Sequence, residues 1–283
     1  MGKKVAILQS NYIPWKGYFD IINMVDEFIL YDDMQYTRRD WRNRNKIMTP
    51  TGLIWLTIPV ENKGKFYQKI NETKVLDHEW VDKHWRSIQY NYAKTEYFSE
   101  YEECIHNIYE ACREESYLSK INYMFLKEIC NLLHINTKLT WSSDYTMVDG
   151  KTERLVGLVK AAGGDYYLSG PAAKDYIVEK YFEDAGITLD WMDYSGYPQY
   201  KQMSKQFEHG VSILDLIFNE GPKAQKYMKS FKEQEKDYTI NPETDTLLQV
   251  NAKIRSQAEY KGVIVERNGE KMYKCLGVRK RFK

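Results

Sequence analysis

The sequence has few of the residues that most often bind metals or cross-link a fold. Its five histidines are not spaced like metal ligands. Its four cysteines form no CxxC pair, and the first three lie in segments of helical periodicity, which is typical of reduced structural thiols. The sequence therefore predicts no structural metal, and its cysteines are expected to be free thiols.

Long apolar runs and an excess of one charge are also missing. No stretch approaches the roughly 18 apolar residues of a membrane-spanning helix, and the amino terminus passes directly into a short predicted strand, unlike a signal peptide. Lys and Arg number 41 against 40 Asp and Glu, a net charge of +1, whereas general nucleic-acid binders carry a basic excess. We therefore expect a soluble, cytoplasmic protein without a membrane span and without general nucleic-acid binding.

The residues that are abundant predict a large α/β domain. Apolar, aromatic and sulfur-containing residues make up 43% of the 283 residues, and tyrosine occurs 24 times. Short apolar runs at residues 5–9, 27–31, 137–141, 166–169 and 187–192 alternate with segments of helical periodicity. Further strands are predicted at residues 53–60 and 69–75. This alternation predicts a doubly wound, mostly parallel sheet. In such a sheet the loops that follow the strands meet at one edge, where ligands bind.

Two segments depart from this alternation. Residues 80–133 carry helical periodicity throughout and predict a helical insertion. Beyond Lys232 the composition becomes polar, with a predicted helix at 246–258 and two strands joined by Asn268-Gly269, a strong hairpin signal. We expect an α/β domain at 1–231 and a C-terminal appendage at 232–283. The appendage is expected to dock on the main body or on a second subunit, which leaves a homo-oligomer open.

Polar and cationic side chains follow the first two predicted strands, in loops at residues 9–18 and 32–45. In a parallel sheet these loops are neighbours. The first offers hydrogen-bond donors for phosphates, and the second offers arginines for bidentate contacts with a diphosphate or carboxylate. The substrate-binding residues predicted in these loops are Gln9, Asn11, Tyr12, Trp15, Lys16, Tyr18, Gln35, Arg39, Trp41, Arg42, Asn43, Arg44 and Asn45.

Four further side chains are predicted to be catalytic. Asp32 and Asp33 follow the second strand, where they could hold a ribose, a magnesium ion or an amine that is deprotonated. His84, on a predicted helix, and His209, in a loop before the last helix of the main body, are candidate bases. For each histidine, packing is the competing interpretation.

A second anion site is predicted after the strand at residues 166–169, where Gly170-Pro171 begins a predicted helix. Ser169 and Lys174 are its expected substrate-binding residues. An ordinary strand-to-helix turn is the alternative.

Residues 5–20, and residues 31–36 running into 39–45, resemble the WbqC-like family. Three later stretches fit as well: Trp80 with residues 83–85, residues 167–176 and residues 211–216. The resemblance covers roughly residues 3–222 and leaves the tail outside. The family is associated with gene clusters for O-antigens and related surface glycans, some of which carry amino sugars acylated on nitrogen. The resemblance implies a transferase that moves an acyl or aminoacyl group, such as glycyl, onto a nucleotide-linked amino sugar.

The order strand, proline-containing loop, helix and strand also resembles the nucleotidylyltransferase and class I synthetase layout. There a His-x-Gly-His loop binds the phosphates of ATP, but residues 14–18 read Pro-Trp-Lys-Gly-Tyr, which argues against ordinary nucleotidyl transfer. No cofactor is firmly implied, and ATP, an acyl or aminoacyl donor and Mg²⁺ stay open. Two other functions also stay open. One is a glycosyltransferase in which Asp32 and Asp33 bind metal, and the other is a non-catalytic scaffold of the glycan assembly machinery.

Overall fold

The computed structural model describes residues 2–231, 263–267 and 270–274. The chain divides into two compact units, Met1–Ser230 and Phe231–Lys283. The strands of the first unit are β1 Lys4–Leu8, β2 Glu27–Leu30, β3 Arg44–Thr49, β4 Gly52–Thr57, β5 Lys138–Trp141, β6 Tyr166–Ser169 and β7 Thr188–Trp191. Its α-helices are α1 Lys16–Asn23, α2 Glu79–Tyr92, α3 Phe98–Ala111, α4 Leu118–Leu132, α5 Thr152–Ala161, α6 Lys180–Asp184 and α7 Ile213–Glu220.

Five strands form a parallel sheet in the order β5-β2-β1-β6-β7. The predicted parallel α/β fold is therefore confirmed. Because β1 pairs with β2 on one side and with β6 on the other, the direction of winding reverses at β1, and ligands bind at such reversals. Leu8 pairs with Leu30, so the loops after β1 and β2 leave the same edge of the sheet, as predicted for Gln9 and Asp32.

Helices cover both faces of this sheet because alternate strand residues are apolar on both sides. On one face Val5 and Ile7 join an apolar cluster with Leu158 of α5 and Phe182 of α6. On the other face α1 packs against β2, with the rings of Tyr18 and Phe28 5.4 Å apart. This two-sided covering is the doubly wound layout.

The predicted helical segment consists of α2, α3 and α4. Their apolar stripes meet in an aromatic core in which the rings of Tyr109 and Phe125 lie 4.9 Å apart, and the rings of Trp80 and Tyr109 lie 6.0 Å apart. None of the helices in the described residues is long and apolar enough to span a membrane.

Three local predictions were wrong. The strand expected at residues 69–75 is replaced by a short 3-10 helix, Ile70–Glu72, flanked only by isolated bridges. The helix expected after Gly170-Pro171 is a 3-10 helix, Pro171–Asp175. Arg44 and Asn45, expected in a loop, begin β3, which pairs antiparallel with β4. Polar residues at the start of β3 hide the apolar alternation by which a strand is recognised.

In the second unit the two predicted strands, β8 Val263–Arg267 and β9 Glu270–Lys274, pair antiparallel. Arg267 pairs with Glu270 at the end of the ladder. The turn residues Asn268 and Gly269 and the helix predicted at 246–258 lie outside the described residues. The boundary at 231/232 stays a prediction.

Candidate functional site

A cleft of about 360 Å³ lies beside the carboxyl end of β1. Its walls come from the loop after β1, from the start of the β3–β4 hairpin and from the loop before α7. The lining residues are Asn11, Pro14, Trp15, Trp41, Asn45, His209 and Gly210. Five predicted site residues from three separate parts of the sequence therefore share one cleft.

The loop after β1 has a strained backbone at the cleft. Ile13 is fully buried and has a φ of +36°, a conformation that β-branched residues rarely adopt. Nδ2 of Asn45 donates hydrogen bonds to the carbonyl oxygens of Tyr12, at 3.1 Å, and Ile13, at 2.9 Å. The backbone nitrogen of Ile213 donates to the carbonyl oxygen of Pro14 at 2.9 Å. Strain held in place in this way is common at functional sites.

Trp15 is fixed in the cleft wall by the start of α1. A Cβ atom on Gly17 would lie 2.4 Å from the Trp15 ring, so glycine is needed for the indole to pack across the helix start. The same indole contacts the rings of Tyr194 and Tyr197, with centroids 5.2 and 5.5 Å away. Trp15 is therefore a rigid apolar surface.

Lys16 places a buried positive charge behind this wall. Its side chain is almost completely buried, and Nζ donates to the carbonyl oxygen of Pro198 at 2.9 Å. Nζ also lies 5.0 and 5.3 Å from the ring centroids of Tyr197 and Tyr200, within the range of cation–π attraction.

The predicted arginine run divides between two neighbouring positions. Arg42 donates to Oδ1 of Asn11 in the cleft, while the guanidinium of Arg44 lies 4.1 Å from the ring centroid of Trp55. Nε of each arginine is buried and has no hydrogen-bond partner among the described residues. A buried donor without a partner calls for an explanation, and a bound anion supplies one.

His209 combines a place in the cleft with an unused ring nitrogen. Nδ1 is buried and has no hydrogen-bond partner among the described residues, and the ring packs on Phe207 at 4.6 Å. Burial, and then the positive charge of Lys16, lower the pKa of His209. The imidazole is therefore neutral near pH 7 and able to accept a proton.

His84 lies in the core and does not line the cleft. Nδ1 is 2.9 Å from the Tyr12 hydroxyl, and Nε2 is 3.2 Å from the carbonyl oxygen of Thr57. Burial lowers the pKa of His84 to about 4. These contacts link Tyr12 to the end of β4 and favour the packing interpretation over catalysis.

The two predicted carboxylates bind other parts of the protein. Asp32 is buried and accepts hydrogen bonds from the backbone of Ser10, at 2.8 Å, and from the hydroxyl of Ser119. Burial raises its pKa. Asp33 accepts from Asn71 at 3.1 Å and from Ser142. Asp32 thus ties the loop after β1 to α4. Within residues 2–231 and the two strands of the second unit, no group of three or more His, Cys, Asp or Glu could hold a metal.

The other predicted residues do not line the cleft. Tyr12 and Tyr18 are buried, and the Tyr18 hydroxyl donates to the Gln9 carbonyl oxygen at 2.8 Å. Gln35 and Asn43 donate hydrogen bonds to the carbonyl oxygens of Phe66 and Ile58, respectively, and Arg39 is exposed. At the predicted second anion site, Ser169 donates to the Tyr167 hydroxyl, and Lys174 lies over the Trp191 ring.

Sequence reasoning missed two residues near the cleft, Lys46 and Gln202. Lys46 belongs to the cationic run and lies 3.7 Å from Glu208. Gln202 forms reciprocal hydrogen bonds with the backbone of Glu208, at 3.0 and 2.8 Å, directly before His209. Its place in the cationic run could have indicated Lys46 as a site residue. For Gln202 no local signal existed, because its partners become neighbours only on folding.

Together the fold and the cleft define a parallel α/β protein with a candidate anion- and ring-binding site at the carboxyl edge of its sheet. Residues 9–227 match the model of the WbqC-like protein family, and the chain belongs to that family. It is 50% identical over 227 residues to the uncharacterized protein Rv1507c of Mycobacterium tuberculosis, a match that covers 80% of this chain and 98% of the relative. No solved structure matches the chain.

Proposed function

We propose that the cleft binds a nucleotide-linked amino sugar and that the protein transfers an acyl or aminoacyl group to the amine of that sugar, in surface-polysaccharide biosynthesis. The proposal depends chiefly on His209, a neutral imidazole that lines the same cleft as Trp15 and Trp41 and whose buried Nδ1 has no hydrogen-bond partner among the described residues. The association of the WbqC-like family with gene clusters for surface glycans suggests the substrate class.

The chemistry of the lining suits both parts of such a ligand. Indole faces pack on sugar rings and bases, and arginine binds phosphate oxygens through paired donors. Arg42 donates a hydrogen bond to Asn11, which lines the cleft. Lys46 lies beside Gly210, another lining residue, with Nζ 3.7 Å from where a Cβ atom of residue 210 would stand.

In the proposed reaction the sugar amine attacks the carbonyl carbon of an acyl thioester or acyl adenylate. A carbon–nitrogen bond forms, the bond from the carbonyl carbon to sulfur or phosphate oxygen breaks, and a thiol or AMP leaves. The amine gives up a proton, which His209 accepts. A lowered pKa favours this role because the imidazole is deprotonated at neutral pH.

The glycosyltransferase alternative has less support in the geometry. It requires Asp32 and Asp33 to bind a metal, yet both carboxylates already accept hydrogen bonds from the protein. A scaffold would not need the strained backbone of Ile13 or the unpartnered nitrogen of His209 at the cleft.

Mass spectrometry of reaction mixtures tests the proposal. The full chain would be incubated with a set of nucleotide-linked amino sugars and either acyl-coenzyme A or ATP with an amino acid. We expect an N-acylated nucleotide sugar with the wild type, and at least about 100-fold slower formation with His209→Ala. Metal-dependent release of a nucleoside diphosphate would instead indicate a glycosyltransferase. Absence of both binding and turnover across the set would contradict the proposed function.

A further inference from the structure

A second aromatic surface continues outward from the cleft wall, beginning at Trp41, which itself lines the cleft. The rings of Trp41 and Trp55 are 5.4 Å apart and tilted by 38°. Their side chains are 40% and 45% exposed, which is uncommon for such large apolar groups side by side and typical of binding surfaces. We call these two indoles, with the Arg44 guanidinium over Trp55, the hairpin platform.

Lys46 connects the cleft to the hairpin platform. Its Nζ lies 5.8 Å from the Trp41 ring centroid and 6.0 Å from that of Trp55. It also lies next to Gly210, which lines the cleft together with His209. The Lys46 ammonium therefore lies close both to the cleft wall at Gly210 and to the two exposed indoles.

The size of the cleft requires such an extension. At about 360 Å³ it is near the lower end of the range of about 300–1,000 Å³ for small-ligand pockets. A nucleotide-linked sugar contains a base, a ribose, a diphosphate and a second sugar, so one end of it must lie outside. The sugar is the end that belongs inside, because its amine has to reach His209.

We propose that the hairpin platform is the nucleobase subsite: the base stacks on Trp55 and Trp41, the diphosphate lies at Lys46, and the sugar enters the cleft toward His209. This assignment rests on the proposed function and adds the orientation of the ligand. A planar base can stack on the two partly exposed indoles, and aromatic stacking of this kind is tolerant of base identity. The neighbouring Arg44 guanidinium adds a planar cation to the stack.

Affinities of matched variants for two probes test the orientation. By titration calorimetry the wild type is measured against UDP, GDP, CDP and dTDP, and against inorganic pyrophosphate. For the tightest nucleotide we expect Trp55→Ala to bind about 5- to 100-fold more weakly, while its affinity for pyrophosphate changes less than about twofold. Trp55→Phe should restore most of the nucleotide affinity, and Lys46→Ala should weaken both probes. Tyr90→Ala, at a tyrosine that is 87% exposed on α2, is the control for removing a surface aromatic.

The outcomes separate the two proposals. If the wild type binds a nucleoside diphosphate and Trp55→Ala binds it equally well, the subsite assignment is wrong and the proposed function stands. If Trp55→Ala loses as much affinity for pyrophosphate as for the nucleotide, the hairpin platform does not bind the base, and the assignment is again wrong. If the wild type binds none of the nucleotides, the proposed function fails, and this assignment fails with it.

Discussion

Nδ2 of Asn45 lies 2.9 Å from the carbonyl oxygen of Ile13, the buried residue whose φ is +36°. A side chain at the start of the β3–β4 hairpin thus holds the loop after β1 in a backbone conformation that isoleucine disfavours. Both residues are almost completely buried, so water cannot replace the hydrogen bond. The hairpin and the parallel sheet form one cleft partly because of this contact.

Replacing Asn45 should therefore reduce both stability and ligand binding. In Asn45→Ala two buried carbonyl oxygens lose a donor, which should lower the free energy of unfolding by about 1–3 kcal/mol. Urea denaturation measures the change, and nucleotide titration measures the effect on the cleft. Asn131→Ala, at an exposed asparagine that bonds Glu128 on the same helix, is the control. Unchanged stability and affinity in Asn45→Ala would show that the loop does not depend on this contact.

Arg42 should contribute to the binding of the phosphate groups. We expect Arg42→Ala to weaken nucleotide-sugar binding by about 2–4 kcal/mol, because a charge-assisted contact is lost in a largely desolvated place. The matched control is Arg38→Ala, at an exposed arginine of the same run that bonds the carbonyl oxygen of Asn62. Calorimetric titration measures the affinity of both variants for the nucleotide sugar. Equal affinities for the wild type and Arg42→Ala would contradict a role of Arg42 in phosphate binding.

His209 should set the pH dependence of the proposed reaction. Burial and the charge of Lys16 lower its pKa, so kcat/KM should rise with pH and level off after a midpoint below 6.5, the ordinary histidine value. Lys16→Met removes the positive charge that helps to lower the pKa of His209, so the midpoint should move to higher pH. NMR titration of the His209 ring reports the same pKa without turnover. A midpoint above 6.5 in the wild type, or no upward movement in Lys16→Met, would be inconsistent with this electrostatic account.

His84 should make the fold sensitive to mild acid. Its pKa is lowered by burial to about 4 in the folded protein and returns to about 6.5 on unfolding. Between these pH values the unfolded chain binds more protons than the folded protein. The contribution of His84 to the free energy of unfolding is therefore fully present above about pH 6.5, and about 3 kcal/mol of it is lost as the pH falls to about 4.

Chemical denaturation at several pH values, compared between the wild type and His84→Gln, measures this contribution. The variant should be less stable at pH 7 and should lose less stability between pH 6.5 and 4. His134→Asn is the control, since His134 is exposed and has a φ of +57°, which asparagine tolerates. Identical pH profiles for the wild type and His84→Gln would contradict the prediction.

Removing the C-terminal unit should leave the first unit folded. The family match ends at residue 227, and the first compact unit ends at Ser230. We expect a chain truncated after Lys232 to unfold cooperatively and to bind nucleotides as the full chain does. Thermal melting and titration check both points, with sedimentation to follow the oligomeric state. Loss of cooperative unfolding would place the tail within the core.

Local patterns accounted for the sheet and for part of the site. The runs that became β1 and β2 are continuous and apolar, and the stripes of α2, α3 and α4 have a clear helical period. Asn11, Trp15 and Trp41 could be expected at the site because they follow strands that neighbour each other. Lys46 and Trp55 were not predicted there, because the start of β3 is polar and its pairing with β4 depends on residues from both strands.

The sequence by itself determined the strands of the parallel sheet and the helices α2, α3 and α4, since that information lies in the spacing of neighbouring apolar residues. Only the tertiary structure decided where each candidate histidine lies. Both candidates were chosen for their side-chain chemistry, yet folding places His84 between Tyr12 and Thr57 in the core and His209 in the cleft with Asn11. The pKa of a histidine and the partners of its ring nitrogens depend on contacts between residues far apart in the chain, and periodicity carries no information about such contacts.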